Sequence, residues 1–469
     1  LRYGPAGATG LVRALVDPAS AVPDAADPDQ LDRARGLARA GDVVVVVGRP
    51  SMSEAGTLVA EAVQLLAASL PGARFLPALR RGNVHGALDM GLAPGLLPGR
   101  VSLESGRQWF EHAWGSVPEH RGRDTSAILA AAAAQPEDGS RVRSLVVLGS
   151  DPLGDFPDRG LARRALEGAE FVVTVATAPG AVIDHADVVL PAAEAHERPG
   201  TTTNIEGRVS RLGQKLVPPG QAWPDWMIAA ELAVHLDADL GLDSVGAVWD
   251  EVERLAPAYR GITRSVLDAS GADDGVLAPL SVSAVSIAGR GPVSRLDPIA
   301  VPGVESVERQ GAPPRAGLAE TPTAGIGDGG GPSNGAVADS PARPPVLAGP
   351  IELDVPHVVP NDGYSLRLVA SRVLYDQGAA VASVPSLAGL VDTAPLRANP
   401  LDLDELGVPS GGSVRVRTAG SSTVQTVVAD TSLARKVVAA DFNVPLAEGT
   451  IADLIDAAAP VVELRLETP

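Results

Sequence analysis

The amino-acid sequence predicts an α/β fold: a doubly wound, mostly parallel sheet domain followed by a small C-terminal β-barrel. Over residues 1–265, short β-branched apolar runs alternate with segments of helical apolar spacing. Residues 266–350 form an irregular connection that includes a Gly/Pro-rich linker at 311–350, and short strands with turn residues between them follow over 351–469. With 469 residues the chain is too long for one hydrophobic core, so we expect two or three domains.

The first unit of the α/β domain begins with a β-branched run, Val43–Val47, of the kind found in parallel strands buried on both faces. Gly48 ends this strand. Apolar residues then recur at helical spacing from Glu54 to Leu70, and Pro71 with Gly72 ends the helix. This order predicts a strand, a helix and a return strand.

A second unit repeats this order further along the chain. Its strands are predicted at Leu145–Leu148, Phe171–Val175 and Val188–Leu190, with helices near Asp158–Glu167 and at Asp225–Asp237 and Ala247–Leu255. Because strands that alternate with helices pair in parallel through right-handed crossovers, the two units predict a doubly wound sheet.

The linker at 311–350 contains nine glycines and eight prolines and few large apolar side chains. It cannot bury enough surface to offset its ordering entropy, which indicates a linker or a surface strap. Within it, Gly325–Gly330 matches G-x-G-x-x-G and Gly331–Gly335 matches G-x-S-x-G. Neither match follows a strand or opens a helix, so we interpret both as chance matches.

Beyond the linker, short strands bounded by turn residues predict the barrel. They are Leu366–Val369, Val414–Val416, Val424–Val428, Val437–Ala440 and Val461–Leu466.

The composition excludes several classes of function. A net charge of -19 argues against a nucleic-acid footprint, which needs clustered cations. With no cysteine, these residues cannot hold disulfides, thiolate-bound zinc or cysteine-ligated iron–sulfur clusters. No apolar run approaches the roughly 18 to 20 residues that span a bilayer, and no signal peptide is recognisable. The chain starts at Leu1 rather than at methionine, so we expect the C-terminal part of a longer polypeptide.

The seven histidines show no spacing that would place two imidazoles on one helix face, so no metal site is predicted. His196 lies between Glu194 and Glu197, and such a cluster in a pocket could serve acid–base chemistry. The alternative is a hydrogen-bonded structural turn, which we favour because isolated polar clusters are more often structural.

Four motifs are more specific. Ala186–Leu212 reads ADVVLPAAEAHERPGTTTNIEGRVSRL, Arg80–Pro94 reads RRGNVHGALDMGLAP, Gly149–Pro152 reads GSDP, and Asn399–Val416 reads NPLDLDELGVPSGGSVRV. In their order along the chain, these motifs resemble those of the molybdopterin oxidoreductase family. The resemblance implies an α/β domain that carries the pterin cofactor in catalytic members, followed by a barrel that binds the dinucleotide part of that cofactor.

The chain departs from the catalytic pattern at two places. In catalytic members the segment after the first barrel strand carries His, Thr, Arg and Met side chains that grip the pterin phosphates, whereas Arg372–Val381 here reads RVLYDQGAAV. Asp151 stands where the family usually has asparagine. Each lost charge-assisted contact is worth about 1.5 to 3 kcal/mol, so molybdopterin is expected to be absent, and we assign no catalytic, cofactor-binding or metal residue.

Within the family, four short stretches resemble the large iron–sulfur subunit, also called the G subunit, of the proton-pumping NADH:quinone oxidoreductase, complex I. They are Val373–Gly378, Pro385–Leu390, Gly91–Pro94 and Leu97–Gly99. This resemblance implies a scaffold that supports upstream 2Fe-2S and 4Fe-4S clusters, which pass electrons from NADH to quinone. It also implies neighbours in the peripheral arm, including the NADH-binding module, at the cytoplasmic side of the cell membrane without a span of its own.

On this interpretation the residues that matter are hydrogen-bonding members of turns that meet the upstream domain. They are Arg80, Asn83, Asp89, Glu197, Asn204 and Arg208. Two alternatives stay open. One is a catalytic molybdenum or tungsten bis-pterin enzyme, such as a formate dehydrogenase or nitrate reductase, whose metal ligand would lie upstream of Leu1. The other is a free-standing binding module.

Overall fold

A computed structural model describes residues 1, 3–23, 26–39, 41–49, 51–79, 82–135, 137–269, 275–277 and 353–468. The predicted linker at 311–350 and its two glycine motifs lie outside these described residues. The α/β part precedes residue 278 and the barrel follows residue 353.

The first predicted unit forms a parallel strand pair. Strand β1 (Val44–Val47) pairs in parallel with β2 (Arg74–Pro77), and helix α3 (Gly56–Ser69) connects them. Helices α1 (Ala8–Val16) and α2 (Pro28–Arg39) precede the pair, and α1 packs its apolar residues against α3. This unit has the predicted order of strand, helix and return strand.

The second unit forms a three-stranded parallel sheet in the order β5–β6–β7. The strands are β5 (Ser144–Leu148), β6 (Phe171–Ala176) and β7 (Val188–Pro191). Helices α7 (Pro152–Asp155) and α8 (Arg159–Gly168) connect β5 to β6, and a 3₁₀ helix at Ala181–His185 precedes β7. A core around Leu145, Leu166 and Val172 joins this sheet to α8, which confirms the predicted α/β arrangement.

The remaining elements of the α/β part surround these two sheets. They are α4 (Val84–Asp89), β3 (Leu96–Leu97), β4 (Val101–Ser102), α5 (Leu103–Trp114), α6 (Thr125–Ala132), β8 (Gly200–Thr203), β9 (Arg208–Leu212), α9 (Asp225–His235), α10 (Val245–Leu255), a 3₁₀ helix at Pro257–Tyr259, α11 (Arg264–Ala269) and β10 (Val276–Leu277). Strands β8, β9 and β10 form an antiparallel sheet whose core contains Val209, Trp249 and Tyr259.

The C-terminal part is a closed six-stranded barrel in the order β11–β15–β12–β14–β13–β16. Its strands are β11 (Leu366–Arg372), β12 (Leu396–Ala398), β13 (Gly412–Arg417), β14 (Ser422–Ala429), β15 (Val437–Phe442) and β16 (Glu463–Glu467). Helices α12 (Ala379–Ala382), α13 (Pro385–Ala388) and α14 (Pro400–Leu406) and a 3₁₀ helix at Ile451–Asp453 connect them. Alternate strand residues such as Leu368, Val414 and Phe442 are fully buried in the barrel interior, as the predicted barrel requires.

Two features differ from the sequence prediction. The parallel strands described in the α/β part lie in two separate sheets rather than in one. In addition, β1 is not buried on both faces, since Val44 and Val46 are 52% and 63% exposed. A run of β-branched residues indicates a strand, but it does not show which elements cover the two faces of that strand.

Candidate functional site

A cleft of about 410 Å³ opens where the carboxyl ends of β5 and β6 face the first turn after barrel strand β11. This edge of a parallel sheet is where α/β proteins place their ligand crevices. Its walls come from Gly149–Asp151 after β5, from Ala176–Ala178 after β6, and from the segment Arg372–Val381. The structure therefore brings together two segments that sequence comparison singled out separately.

Asp151 fills one side of this cleft and is 6% exposed. Its carboxylate accepts hydrogen bonds from the backbone N–H of Leu153 at 3.1 Å and of Ala181 at 2.7 Å. Gly180 leaves room for this side chain, because a Cβ there would lie 2.6 Å from the Asp151 carboxylate. Both backbone donors are thus taken by a carboxylate that lines the cleft.

Arg372 forms the opposite wall, with a side chain that is 14% exposed. Its guanidinium donates to the Asp376 carboxylate at 3.1 Å and to the backbone carbonyl of Asp155 at 2.7 Å. The same guanidinium lies 4.7 Å from the centre of the Phe442 ring, a favourable cation–π distance. Asp376 also accepts from the backbone N–H of Gly378 at 2.8 Å.

The charges that line the cleft are unbalanced. Its ionisable residues are Asp151, Asp155, Glu194 and Asp376 against the single cation Arg372, so four carboxylates face one guanidinium. A lining of this kind favours cations over anions by simple electrostatics.

A second polar cluster lies deeper in the α/β part and centres on Asp89, which is 5% exposed. Asp89 accepts hydrogen bonds from the Arg100 guanidinium and, at 2.6 Å, from the hydroxyl of Tyr259. The Tyr259 oxygen lies 3.4 Å from the Thr203 hydroxyl, and Asn83 accepts from the backbone N–H of Thr203 at 2.9 Å. We call these five residues the Asp89 network; it ties α4 to β8 and to the 3₁₀ helix at Pro257–Tyr259.

Burial, followed by the hydrogen bond to Asp89, raises the pKa of the Tyr259 phenol well above its ordinary value of 10. Above pH 10 the unfolded chain therefore loses the Tyr259 proton while the folded chain keeps it, so folding stability falls as pH rises. The loss of folding free energy from this residue should approach about 1.4 kcal/mol per pH unit.

We expect the free energy of unfolding of Tyr259→Phe to fall less steeply between pH 10 and 11 than that of the wild type. Urea unfolding at each pH measures this difference, and parallel slopes for the two proteins would contradict it.

Beside the Asp89 network lies a wider open groove of about 1240 Å³, which includes Asn83, Thr202 and Trp226 in its lining. The three arginines of this lining all pair with carboxylates. The pairs are Arg198–Asp225, Arg211–Asp268 and Arg264–Asp250.

The described residues contain no group of three or more His, Asp or Glu side chains arranged to hold a metal ion. Within the same residues, no helix is both long and apolar enough to cross a membrane.

Comparison with known proteins identifies the fold. Residues 83–235 match the family model of molybdopterin oxidoreductase, and they include Asn83, Asp89, Asp151 and the Ala186–Leu212 motif. The chain carries a molybdopterin oxidoreductase domain. The recognition from sequence motifs is thereby confirmed.

Proteins similar to this molybdopterin oxidoreductase domain are named as subunits of three different enzymes. The chain is 37% identical over 216 residues to NADPH-Fe(3+) oxidoreductase subunit alpha of Geobacter sulfurreducens, covering 45% of this chain and 25% of the relative. It is 38% identical over 226 residues to the G subunit of NADH-quinone oxidoreductase of Streptomyces coelicolor, covering 46% and 26%. It is 32% identical over 198 residues to F420-dependent formate dehydrogenase subunit alpha of Methanocaldococcus jannaschii, covering 42% and 28%.

The chain thus spans about a quarter of the length of these curated relatives. Among solved structures, acetylene hydratase from Pelobacter acetylenicus matches with a TM-score of 0.49 at 14% identity, over 94% of this chain and 63% of that one.

The sequence-predicted residues of the molybdopterin oxidoreductase domain fall into three places. Asn83 and Asp89 belong to the Asp89 network. Asn204 and Arg208 shape the turn between β8 and β9, where the Asn204 side chain accepts from the backbone N–H groups of Glu206 and Arg208 at 2.9 Å. Thr203 connects the two pairs, because its backbone N–H donates to Asn83 and the next residue in the chain is Asn204. Arg80 lies outside the described residues.

Glu197 lies in a separate exposed turn. Its carboxylate accepts from the backbone N–H of Glu194 at 2.9 Å, and the carbonyl of His196 accepts from the backbone N–H of Lys215 at 2.7 Å. The turn is therefore hydrogen-bonded, and the structural role that we favoured over an acid–base cluster stays a prediction. Glu194 nonetheless reaches the lining of the cleft.

Sequence reasoning missed Arg100 and Tyr259, the two donors to Asp89. Tyr259 lies 170 positions from Asp89 and outside the matched family segment. No local pattern marks it, although a tyrosine in a mostly Ala- and Leu-packed chain is a residue whose hydroxyl needs a partner when buried.

Proposed function

We propose that this chain is the C-terminal scaffold region of the large iron–sulfur subunit, the G subunit, of a proton-pumping NADH:quinone oxidoreductase, complex I, and that it has no catalytic residue of its own. The 38% identity to the Streptomyces coelicolor relative supports the assignment. The observation that carries the scaffold role is the charge of the cleft, where four carboxylates face Arg372.

A pterin dinucleotide would place its pyrophosphate at this sheet edge, where it needs cationic or N–H donors. The donors of the cleft are already engaged. The backbone N–H groups of Leu153 and Ala181 bond to Asp151, and Arg372 bonds to Asp376 and to Asp155. A pyrophosphate would therefore displace internal carboxylates and lie among several negative charges. On these grounds molybdopterin is proposed to be absent from this region.

The remaining parts of the proposal follow from membership of that complex. The chain would support an upstream domain with 2Fe-2S and 4Fe-4S clusters that passes electrons from NADH to quinone. Its neighbours would be other subunits of the peripheral arm, including the NADH-binding module, at the cytoplasmic side of the cell membrane. The turns that contain Asn83, Asp89, Asn204 and Arg208 would face that upstream domain.

A second candidate is a catalytic molybdenum or tungsten bis-pterin oxidoreductase. The relative named as a formate dehydrogenase subunit favours it, because its identity of 32% is close to the 38% of the NADH-quinone oxidoreductase relative. The anionic cleft argues against it, since such an enzyme must hold two anionic pterins.

The proposal is tested by purifying the intact polypeptide under mild detergent from its source cells, with an affinity tag on its chromosomal gene. We expect it to co-purify with a membrane-bound assembly that oxidises NADH and reduces quinone. Recovery without NADH-oxidising subunits, as an enzyme that oxidises formate, would instead support the second candidate.

A further inference from the structure

The cleft joins two parts of the chain that are far apart in sequence. Arg372 at the end of β11 donates to the backbone carbonyl of Asp155 in α7 at 2.7 Å. Arg159 donates to the Asn443 side chain at 3.2 Å, and the Asp158 carboxylate accepts from the backbone N–H of Ala457 at 3.0 Å. The barrel is thus hydrogen-bonded to the α/β part around the cleft.

The cleft also has the form of an anion site. Three backbone N–H groups point at carboxylate oxygens within it, those of Leu153, Ala181 and Gly378, at 2.7 to 3.1 Å. Glycine stands where the carboxylates come closest, because a Cβ on Gly378 would lie 2.8 Å from the Asp376 carboxylate. Convergent backbone N–H groups together with a guanidinium are the donors that bind phosphates.

Those donors are satisfied from within the chain. Asp151 and Asp376 are 6% and 7% exposed, so these carboxylates are buried at the cleft rather than directed to solvent. Buried carboxylates are costly unless they are paired and hydrogen-bonded, and here the backbone donors and Arg372 supply the pairing. Removing both carboxylates would take away the acceptor of the backbone N–H groups of Leu153, Ala181 and Gly378.

We infer that this cleft is an internal joint, in which Asp151 and Asp376 occupy the positions of an anionic ligand and Asp376 orients the Arg372 guanidinium that holds the barrel on the α/β part. The inference rests on the proposed absence of a pterin dinucleotide. The two carboxylates then replace a pyrophosphate, and their removal uncovers a binding site for pyrophosphate.

The test uses the variant Asp151→Ala/Asp376→Ala and the charge-matched control Asp42→Ala/Asp243→Ala, whose two aspartates are exposed. Thermal unfolding of each is followed with and without millimolar inorganic pyrophosphate. We expect the joint variant to melt more than about 4 °C below the control, because buried donors lose their partners. Pyrophosphate should raise its melting temperature and leave those of the wild type and the control unchanged.

Calorimetric titration should show that the joint variant binds pyrophosphate at least about tenfold more tightly than the wild type. If the double variant does not fold, Asp376→Ala alone is measured in the same way, since it keeps the Asp151 contacts. A folded variant that melts at the same temperature as the control and gains no affinity for pyrophosphate would overturn the inference that the cleft is an internal joint. Tight pyrophosphate binding by the wild type would instead overturn the proposed absence of the dinucleotide, so the two failures are distinguishable.

Discussion

Replacing Asp89 with alanine should lower the free energy of unfolding by about 3 kcal/mol. The substitution removes the acceptor of both the Arg100 guanidinium and the Tyr259 hydroxyl. Tyr259 is only 1% exposed, so its hydroxyl cannot recover a hydrogen bond to bulk water. The loss of a buried acceptor costs the desolvation of the groups that remain, which exceeds the net value of the bonds themselves.

The control for Asp89 is Asp243→Ala, which removes an exposed carboxylate and should change stability by less than about 0.5 kcal/mol. Asp89→Asn keeps an acceptor for Tyr259, so its free energy of unfolding should lie between those of Asp89→Ala and Asp243→Ala. Urea unfolding followed by tryptophan fluorescence is a suitable assay, because Trp249 packs edge-on against Tyr259 at 5.7 Å. Equal stability of the Asp89 and Asp243 variants would show that the Asp89 network does not stabilise this domain.

Truncating Phe442 to alanine should destabilise the barrel by about 3 to 5 kcal/mol. Phe442 is 0% exposed and belongs to the main barrel core. Its removal leaves a cavity in β15 and takes away the aromatic face on which the Arg372 guanidinium lies. We expect the second effect to weaken the contact between the barrel and the α/β part as well.

The matched control is Tyr364→Ala, an aromatic truncation at a side chain that is 81% exposed, with an expected change below about 0.5 kcal/mol. Phe442→Leu conserves most of the volume and should cost less than about 1.5 kcal/mol. Calorimetric unfolding of the three variants provides the comparison. If Phe442→Ala were no less stable than Tyr364→Ala, the ring would have no role in the barrel core.

Much of the fold is predictable from local pattern. The helix predicted near Asp158–Glu167 is α8, Arg159–Gly168, and the strand predicted at Val188–Leu190 is β7, Val188–Pro191. Helix α8 has apolar residues at helical spacing, and β7 is a continuous apolar run that ends at Pro191. Strand β12, Leu396–Ala398, is not predicted because Arg397 interrupts its short apolar run, and its partners β14 and β15 come later in the chain.

The site is predicted less completely. Sequence comparison singles out Asp151 and the segment Arg372–Val381 as losses of phosphate-binding groups. The structure adds that Arg372 donates to the backbone carbonyl of Asp155, a bond that depends on the docking of the barrel and has no local sequence signal. The partnership of Asp89 with Tyr259 likewise depends on tertiary packing.

The scaffold role is tested most directly by the content of molybdenum, tungsten and pterin in the intact polypeptide, purified within its native assembly. Inductively coupled plasma mass spectrometry measures the metals, and the fluorescence of oxidised pterin measures the cofactor. We expect iron from the upstream clusters with neither molybdenum, tungsten nor pterin. One molybdenum or tungsten per polypeptide together with pterin would contradict the scaffold role and would assign the anionic cleft to a catalytic enzyme.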